Sequence, residues 1–392
     1  MNQQFDQVIP RLGTNSLKWD MTEQRFGEKD LLPLWVADMD FKAPQAVIDA
    51  LHQKVEHGIY GYPAHSGSVD KAVQNWLQRR FQWQVEADSF LYTSGVVPTI
   101  SFIIQAFTEP EDEIIIQTPV YYPFFEVVKK NKRTLLRNPL AFDGERYEMD
   151  YDQLESIITE KTKMLILCHP HNPVGRVWKQ DELEKLAAVC KKHDLLVVSD
   201  EIHADLLFKG QQHIPFASLN KDASERTLTC LAPSKTFNLA GIQTSYVVAE
   251  NKQLRQKLAN HLANMFVSGT NMFAEVATEA AYTHGEQWLE DLMSYVESNY
   301  QFVKSYVETH LPRLRVMDCE GTYLLWLDCS KLPLTADERK KWFIEEARVA
   351  LNHGLIFGEE GKDFERVNLA CPRKTLEQGL EQIRQAYERS NF

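Results

Sequence analysis

Apolar and polar positions follow two periods along the chain. Helical spacing comes first, over 45–57 (Val47, Ile48, Leu51, Val55) and over 69–82 (Val69, Val73, Trp76, Leu77, Phe81). Between them, Gly58-Ile59-Tyr60-Gly61-Tyr62-Pro63 reads as a turn. From about 90 to 250, short continuous apolar runs alternate with helical stretches. The runs are Phe90–Thr93, Ile114–Ile116, Leu165–Cys168, Leu195–Val198 and Thr227–Leu231. The helical stretches include Pro98–Phe107 and the segment carrying Leu183, Leu186, Ala187 and Cys190. Apolar strands joined by helices predict a parallel sheet covered on both faces. One long helical stretch is expected from about 252 to 310, with Trp288, Leu292, Tyr295, Asn299, Phe302 and Tyr306 on one face. After Pro312 the pattern becomes α+β. Strands are expected at Leu314–Met317, Tyr323–Leu327 and Arg366–Leu369, and helices over 335–352 and 374–389. Residues 1–45, broken by Gly13, Asn15, Gly27 and Pro33, read as an irregular arm.

The fold expected is α/β: a large domain with a mostly parallel sheet between helices, plus a smaller α+β domain built by the N-terminal arm and the C-terminal part. The expected division is 1–45, 46–290 and 291–392, and 392 residues is long for a single core. Hydrophobic residues make up 44% and charged residues 25%, as in globular proteins. The net charge of −12 argues against nucleic acid and anionic membranes as partners, and in favour of a small-molecule substrate. No apolar run reaches membrane-spanning length, and no signal peptide is visible at the start. The six cysteines lack Cys-x-x-Cys spacing and read as buried thiols of a reducing compartment, so a cytoplasmic location is expected. His169, His171, His193, His203 and His213 show no His-x-x-x-His helix spacing, and no metal is expected.

Four features fall at strand ends, where open parallel sheets bind ligands. Ser94-Gly95 opens a helix, whose first backbone N–H groups suit a phosphate. A plain turn glycine fits equally well. Asn172 sits in the rigid loop His169-Pro170-His171-Asn172-Pro173-Val174-Gly175, either as turn chemistry or aimed at a cleft. Asp200 ends an apolar strand, as a helix cap or as the partner of a cation. Lys235, in Ala232-Pro233-Ser234-Lys235-Thr236-Phe237-Asn238, is either an ordinary loop lysine or a desolvated nucleophile. Together they form the set that pyridoxal phosphate (PLP) needs: a lysine for an imine, an acid for the ring nitrogen and a phosphate cradle.

The motifs Trp35-Val36-Ala37-Asp38-Met39-Asp40-Phe41, His57-Gly58-Ile59-Tyr60-Gly61-Tyr62, Thr118-Pro119-Val120-Tyr121, His171-Asn172-Pro173-Val174-Gly175, Ser199-Asp200-Glu201-Ile202-His203, Ser234-Lys235-Thr236-Phe237-Asn238 and Arg366-Val367-Asn368-Leu369 resemble fold-type I PLP enzymes of the class I/II aminotransferase superfamily. The Asp-Met-Asp-Phe and Asp-Glu-Ile-His pieces resemble the MalY/PatB group of carbon–sulfur β-lyases, which includes cystathionine β-lyases. The resemblance implies that Lys235 carries the cofactor imine and moves the Cα proton, with Tyr121 stacking on the ring and assisting. It implies that Asp200 pairs with the ring nitrogen, while Asn172 and His203 face the ring oxygen. Gly95, Val96 and Ser234 would hold the phosphate, and Tyr62 would reach the phosphate of the neighbouring subunit in a homodimer. Arg366 would clamp the substrate carboxylate, with Val36 and Tyr323 near its side chain. Where many relatives have an arginine and a serine for the phosphate, this chain has Gln243 and Ala232. The implied reaction is β-elimination on cystathionine or an S-substituted cysteine. An aminotransferase, or a regulatory protein that keeps the fold, are the alternatives.

Overall fold

The computed structural model describes residues 3–267, 269–390 and 392; of the N-terminal arm, Met1 and Asn2 lie outside the described residues. A seven-stranded sheet forms from Phe90–Thr93 (β1), Glu113–Thr118 (β2), Thr134–Pro139 (β3), Thr162–Cys168 (β4), Leu196–Asp200 (β5), Thr227–Leu231 (β6) and Ser245–Val248 (β7). The spatial order is β1-β7-β6-β5-β4-β2-β3. Only β7 runs against its neighbours, pairing antiparallel with both β1 and β6. The sheet is thus mostly parallel, as expected. Ile114, Ile115, Ile116, Leu165 and Val197 are wholly buried, because helices cover both faces. Burying each such side chain contributes about 2 kcal/mol.

A second sheet contains Arg315–Val316 (β8), Leu324–Asp328 (β9), Asn352–His353 (β10) and Phe364–Asn368 (β11), in the antiparallel order β8-β9-β11-β10. Helix Arg373–Arg389 follows it.

Three expectations need correction. The stretch 252–310 is three helices, Lys252–Asn264, Met272–His284 and Glu286–His310. Phe266 and Gly269 take positive φ, and the Asn271 side chain caps the second helix by accepting from Phe273 N and Ala274 N. At Gly285 any Cβ would lie 2.5 Å from the Phe237 ring, so the third helix starts where only glycine fits. The helix expected over 335–352 ends at a π turn, Trp342–Glu346. After Arg348, at φ 59°, Val349–Ala350 pairs parallel with Leu32–Pro33. The arm is also less irregular than its composition suggests. It contains helices Leu17–Asp20 and Thr22–Phe26. Its fully buried Lys18 meets Asp40 at 2.7 Å, and Arg11 meets Asp38 and Asp40 at 2.7 and 2.6 Å. Those cations anchor the acidic end of residues 35–41. Among the described residues no helix is long and apolar enough to cross a membrane.

Candidate active site

A cavity of about 210 Å3 opens at the carboxyl edge of the large sheet. Gly95, Val96, Tyr121, Asn172, Asp200, His203 and Lys235 all line it, together with Ala37 and Cys168. All but Ala37 come from the ends of five strands, β1, β2, β4, β5 and β6, or the loops after them, so the parallel sheet itself gathers them.

Lys235 lies on the one-turn helix Pro233–Thr236, directly after β6. Its Nζ donates to Ala37 O at 2.5 Å. Burial, reinforced by the Arg366 charge, lowers its pKa to about 8, so roughly a tenth is neutral amine at pH 7, far more than for a free lysine. Asp200 ends β5, and its Oδ1 accepts from Ile202 N at 3.2 Å. Burial raises its pKa to about 7, against the opposing pull of Lys235. His203 is buried, and its pKa is lowered to about 3 by burial and by the Lys235 and Arg366 charges. It is a neutral imidazole whose Nδ1 has no partner. Tyr121 is held well above the usual phenol range by burial and remains an O–H donor.

Arg366, on β11, is buried with no carboxylate among its partners. Its Nη1 donates to Asn172 Oδ1 at 3.0 Å, and its Nη2 to Trp35 O at 2.9 Å and Asn352 Oδ1 at 2.5 Å. Its guanidinium lies 5.0 Å over the Phe357 ring, and Nε is buried without an acceptor. Burial lowers its pKa to about 10, which leaves it charged. A buried cation with a free donor is costly unless an anion joins it.

The strap 35–41 crosses this site with its carbonyls held from several sides. Val36 O and Asp38 O each accept from Asn368 Nδ2 at 2.6 Å. Ala37 O accepts from Tyr323 Oη at 3.0 Å as well as from Lys235. Met39 O and Phe41 O accept from Asn238 Nδ2. Val36 and Tyr323, expected near the substrate side chain, are not among the residues lining the cavity; Tyr323 touches its wall through the Ala37 carbonyl and Val36 is the neighbour of Ala37 in the strap. The strap's holders Asn238 and Asn368, and Asn352, which accepts from Arg366, were missed in the sequence, although the first two lie inside the quoted motifs.

The residues present fit PLP. Val96 N and Val97 N open the helix Val96–Phe107, where backbone N–H groups are free of intrahelical partners. A Cβ on Gly95 would meet nothing closer than the Pro98 ring at 3.6 Å, so nothing in the protein itself demands glycine there. Underneath, Thr99 Oγ1 donates to Gly95 O at 2.7 Å, and Thr93 Oγ1 meets Ser245 Oγ at 2.7 Å, fixing the cradle. Ser234 is half-buried beside Lys235. Gln243 takes a left-handed backbone and Ala232 is buried, so neither gives the phosphate a cation or hydroxyl. Tyr62 is not brought to the cavity of its own chain, where it is 106% exposed.

Comparison with known proteins agrees with this geometry. The family profile "Aminotransferase class I and II" matches residues 29–383. The chain is 42% identical to cystathionine beta-lyase PatB of Bacillus subtilis, over 97% of this chain and 99% of that protein. Among solved structures it resembles cystalysin of Treponema denticola, which contains PLP (35% identity, TM-score 0.95, 98% of both chains). It also resembles a PLP-bound protein of Clostridium difficile 630 provisionally named an aminotransferase (45% identity, TM-score 0.96, 97% and 99% of the two chains).

Proposed function

Since the chain belongs to the class I and II aminotransferase family, we propose that it is a PLP-dependent carbon–sulfur β-lyase. It would convert an S-substituted cysteine and water into a thiol, pyruvate and ammonia. The observation that carries the reading is that Lys235 and Asp200 line one cavity while Arg366 stands behind its wall, donating to the lining residue Asn172. PLP and an α-amino acid need an amine, a ring-nitrogen acid and a carboxylate clamp. The whole-length similarity to a cystathionine beta-lyase selects the lyase.

PLP bound there supplies an electron sink for the bonds of Cα. Arg366 captures the substrate carboxylate and fixes which Cα bond stands toward the lysine. Asp200, ionised beside a cationic ring nitrogen, keeps the proton on that nitrogen. The neutral amine of Lys235 takes the Cα proton, for which a pKa near 8 is well matched. The Cβ–S bond then breaks with its electron pair on sulfur, and the protonated Tyr121 hydroxyl is the donor at hand for the departing thiolate. Asn172 and His203 would face the ring oxygen, His203 as a neutral imidazole.

The test is a product assay with S-methylcysteine and with cystathionine. Pyruvate and thiol are expected without any added keto acid. Turnover that depends strictly on a keto acid would reject the lyase in favour of an aminotransferase. That second reading draws on the Clostridium difficile relative, and the same residues serve it.

We also propose a homodimer that completes the site. Tyr62 stands fully exposed beside exposed Ile59, Tyr60 and Val55, a patch suited to a second copy. Tyr62→Phe is expected to loosen cofactor retention about tenfold in equilibrium dialysis, with apoprotein Tm unchanged. Unchanged retention would leave Tyr62 as surface only. The division into 1–45, 46–290 and 291–392 is proposed with the arm and C-terminal part moving together. A reducing, cytoplasmic location is proposed because all six cysteines are free and five are buried.

A further inference from the structure

Strands β10 and β11 pair so that Asn352 stands opposite Arg366, and His353 opposite Glu365. Successive side chains on a strand point to opposite faces. On one face Glu365 is already taken: His353 Nδ1 and Arg339 Nε reach its Oε1 at 2.9 and 3.1 Å. On the other face Arg366 meets only neutral acceptors, one of them Asn352 Oδ1.

A guanidinium has five N–H donors in one rigid plane. Three are committed here: one on Nη1 to Asn172, and both on Nη2, to Trp35 O and Asn352 Oδ1. A carboxylate binds bidentately across Nε with Nη2, or across Nη1 with Nη2. Both forks use Nη2, so bidentate capture must release either Trp35 O or Asn352. The Trp35 carbonyl belongs to the irregular strap. Strand pairing fixes the Asn352 backbone directly opposite the arginine, which keeps its side-chain amide on the same face as the guanidinium. The partner able to yield is therefore the strap carbonyl.

We infer that Asn352 is a positioning residue for the substrate carboxylate: it holds Arg366 Nη2 in place while the Trp35 carbonyl gives way to the incoming carboxylate oxygen. This rests on the reading of Arg366 as the carboxylate clamp. In the resting site Trp35 O holds an Nη2 donor that substrate will use, while Nε is buried without an acceptor.

The test uses holoenzyme carrying Asn352→Ala, Asn352→Asp or Arg366→Ala. Steady-state kinetics with S-methylcysteine are measured beside calorimetric binding of two probes. Methylthiopropionate carries the carboxylate without the amine, and methylthioethylamine carries the amine without the carboxylate. Asn352→Ala is expected to raise KM and the methylthiopropionate Kd about tenfold, with kcat within about twofold and methylthioethylamine binding unchanged. Asn352→Asp places a fixed carboxylate on Nη2 and is expected to raise both values further. If Arg366→Ala weakens methylthiopropionate but neither Asn352 variant does, the inference fails and the clamp stands. If Arg366→Ala leaves methylthiopropionate binding intact, the clamp reading fails and takes the inference with it. Equal weakening of both probes by the Asn352 variants overturns the inference in favour of general distortion.

Discussion

Lys235→Ala is expected to lower kcat/KM by at least about four orders of magnitude, the scale for removing a group that serves as both nucleophile and base. The fold is expected to survive. Lys235 Nζ makes one hydrogen bond, to Ala37 O, and that carbonyl keeps Tyr323 Oη at 3.0 Å. Stability should not fall at neutral pH. The folded-state pKa of Lys235 is lowered from 10.5 to about 8, so the buried ammonium destabilises the native state below pH 8. That cost fades only as pH rises from about 8 towards the unfolded value. Alanine removes it. Lys235→Arg is the matching control, because it keeps a cation near Ala37 but has no nucleophilic amine. It is expected to be equally inactive. Wild-type enzyme treated with borohydride should carry the cofactor mass on the peptide containing Lys235, and neither variant should. A variant lysine-free at 235 that retains turnover or the covalent label would remove Lys235 from its role.

The strand-end residues were legible in the sequence because their signals are local. An apolar run ending in Ser-Asp-Glu-Ile-His or Pro-Ser-Lys-Thr announces a strand and the polar group at its tip within a few positions. Thus Gly95, Asn172, Asp200, His203 and Lys235 meet in one cavity as the parallel order requires. The strap over the cavity was not legible in the same way. Its geometry depends on partners far along the chain: Ala37 with Lys235, Met39 with Asn238, Val36 with Asn368. Asparagines that hold backbone carbonyls carry no period and no distinctive spacing. Strand Asn352–His353 fails for another reason. It follows a run of Trp342, Phe343, Ile344 and Ala347 at helical spacing, and only the left-handed turn at Arg348 breaks that run. The short Ser245–Val248 strand is buried throughout, but four residues carry no signal of its reversed direction.

Asp200→Asn is expected to separate stability from function, losing activity while gaining apoprotein stability above pH 4. The argument starts from burial, which raises the folded-state pKa of Asp200 from 3.8 to about 7. Between those values the native state binds more proton than the unfolded chain. Unfolding free energy therefore falls as pH rises from about 4 to about 7 and stays lowered above that, by roughly 4 kcal/mol at most. Asparagine carries no such charge, and its Oδ1 can still accept from Ile202 N, as the aspartate does at 3.2 Å. Glu201, whose pKa burial also raises to about 7, titrates in both proteins, while its repulsion of Asp200 is one of the contributions that asparagine removes. The Tm of apo Asp200→Asn should thus match wild type near pH 4 and exceed it increasingly up to pH 7. Loaded with PLP the order reverses in function. The ring nitrogen loses its counter-ion in a buried site, and kcat/KM is expected to fall about a thousandfold, the scale of breaking a buried ion pair. Equal Tm across the whole pH range would mean that Asp200 is already neutral or well paired in the apoprotein. Unchanged turnover would show that ring protonation does not run through this carboxylate.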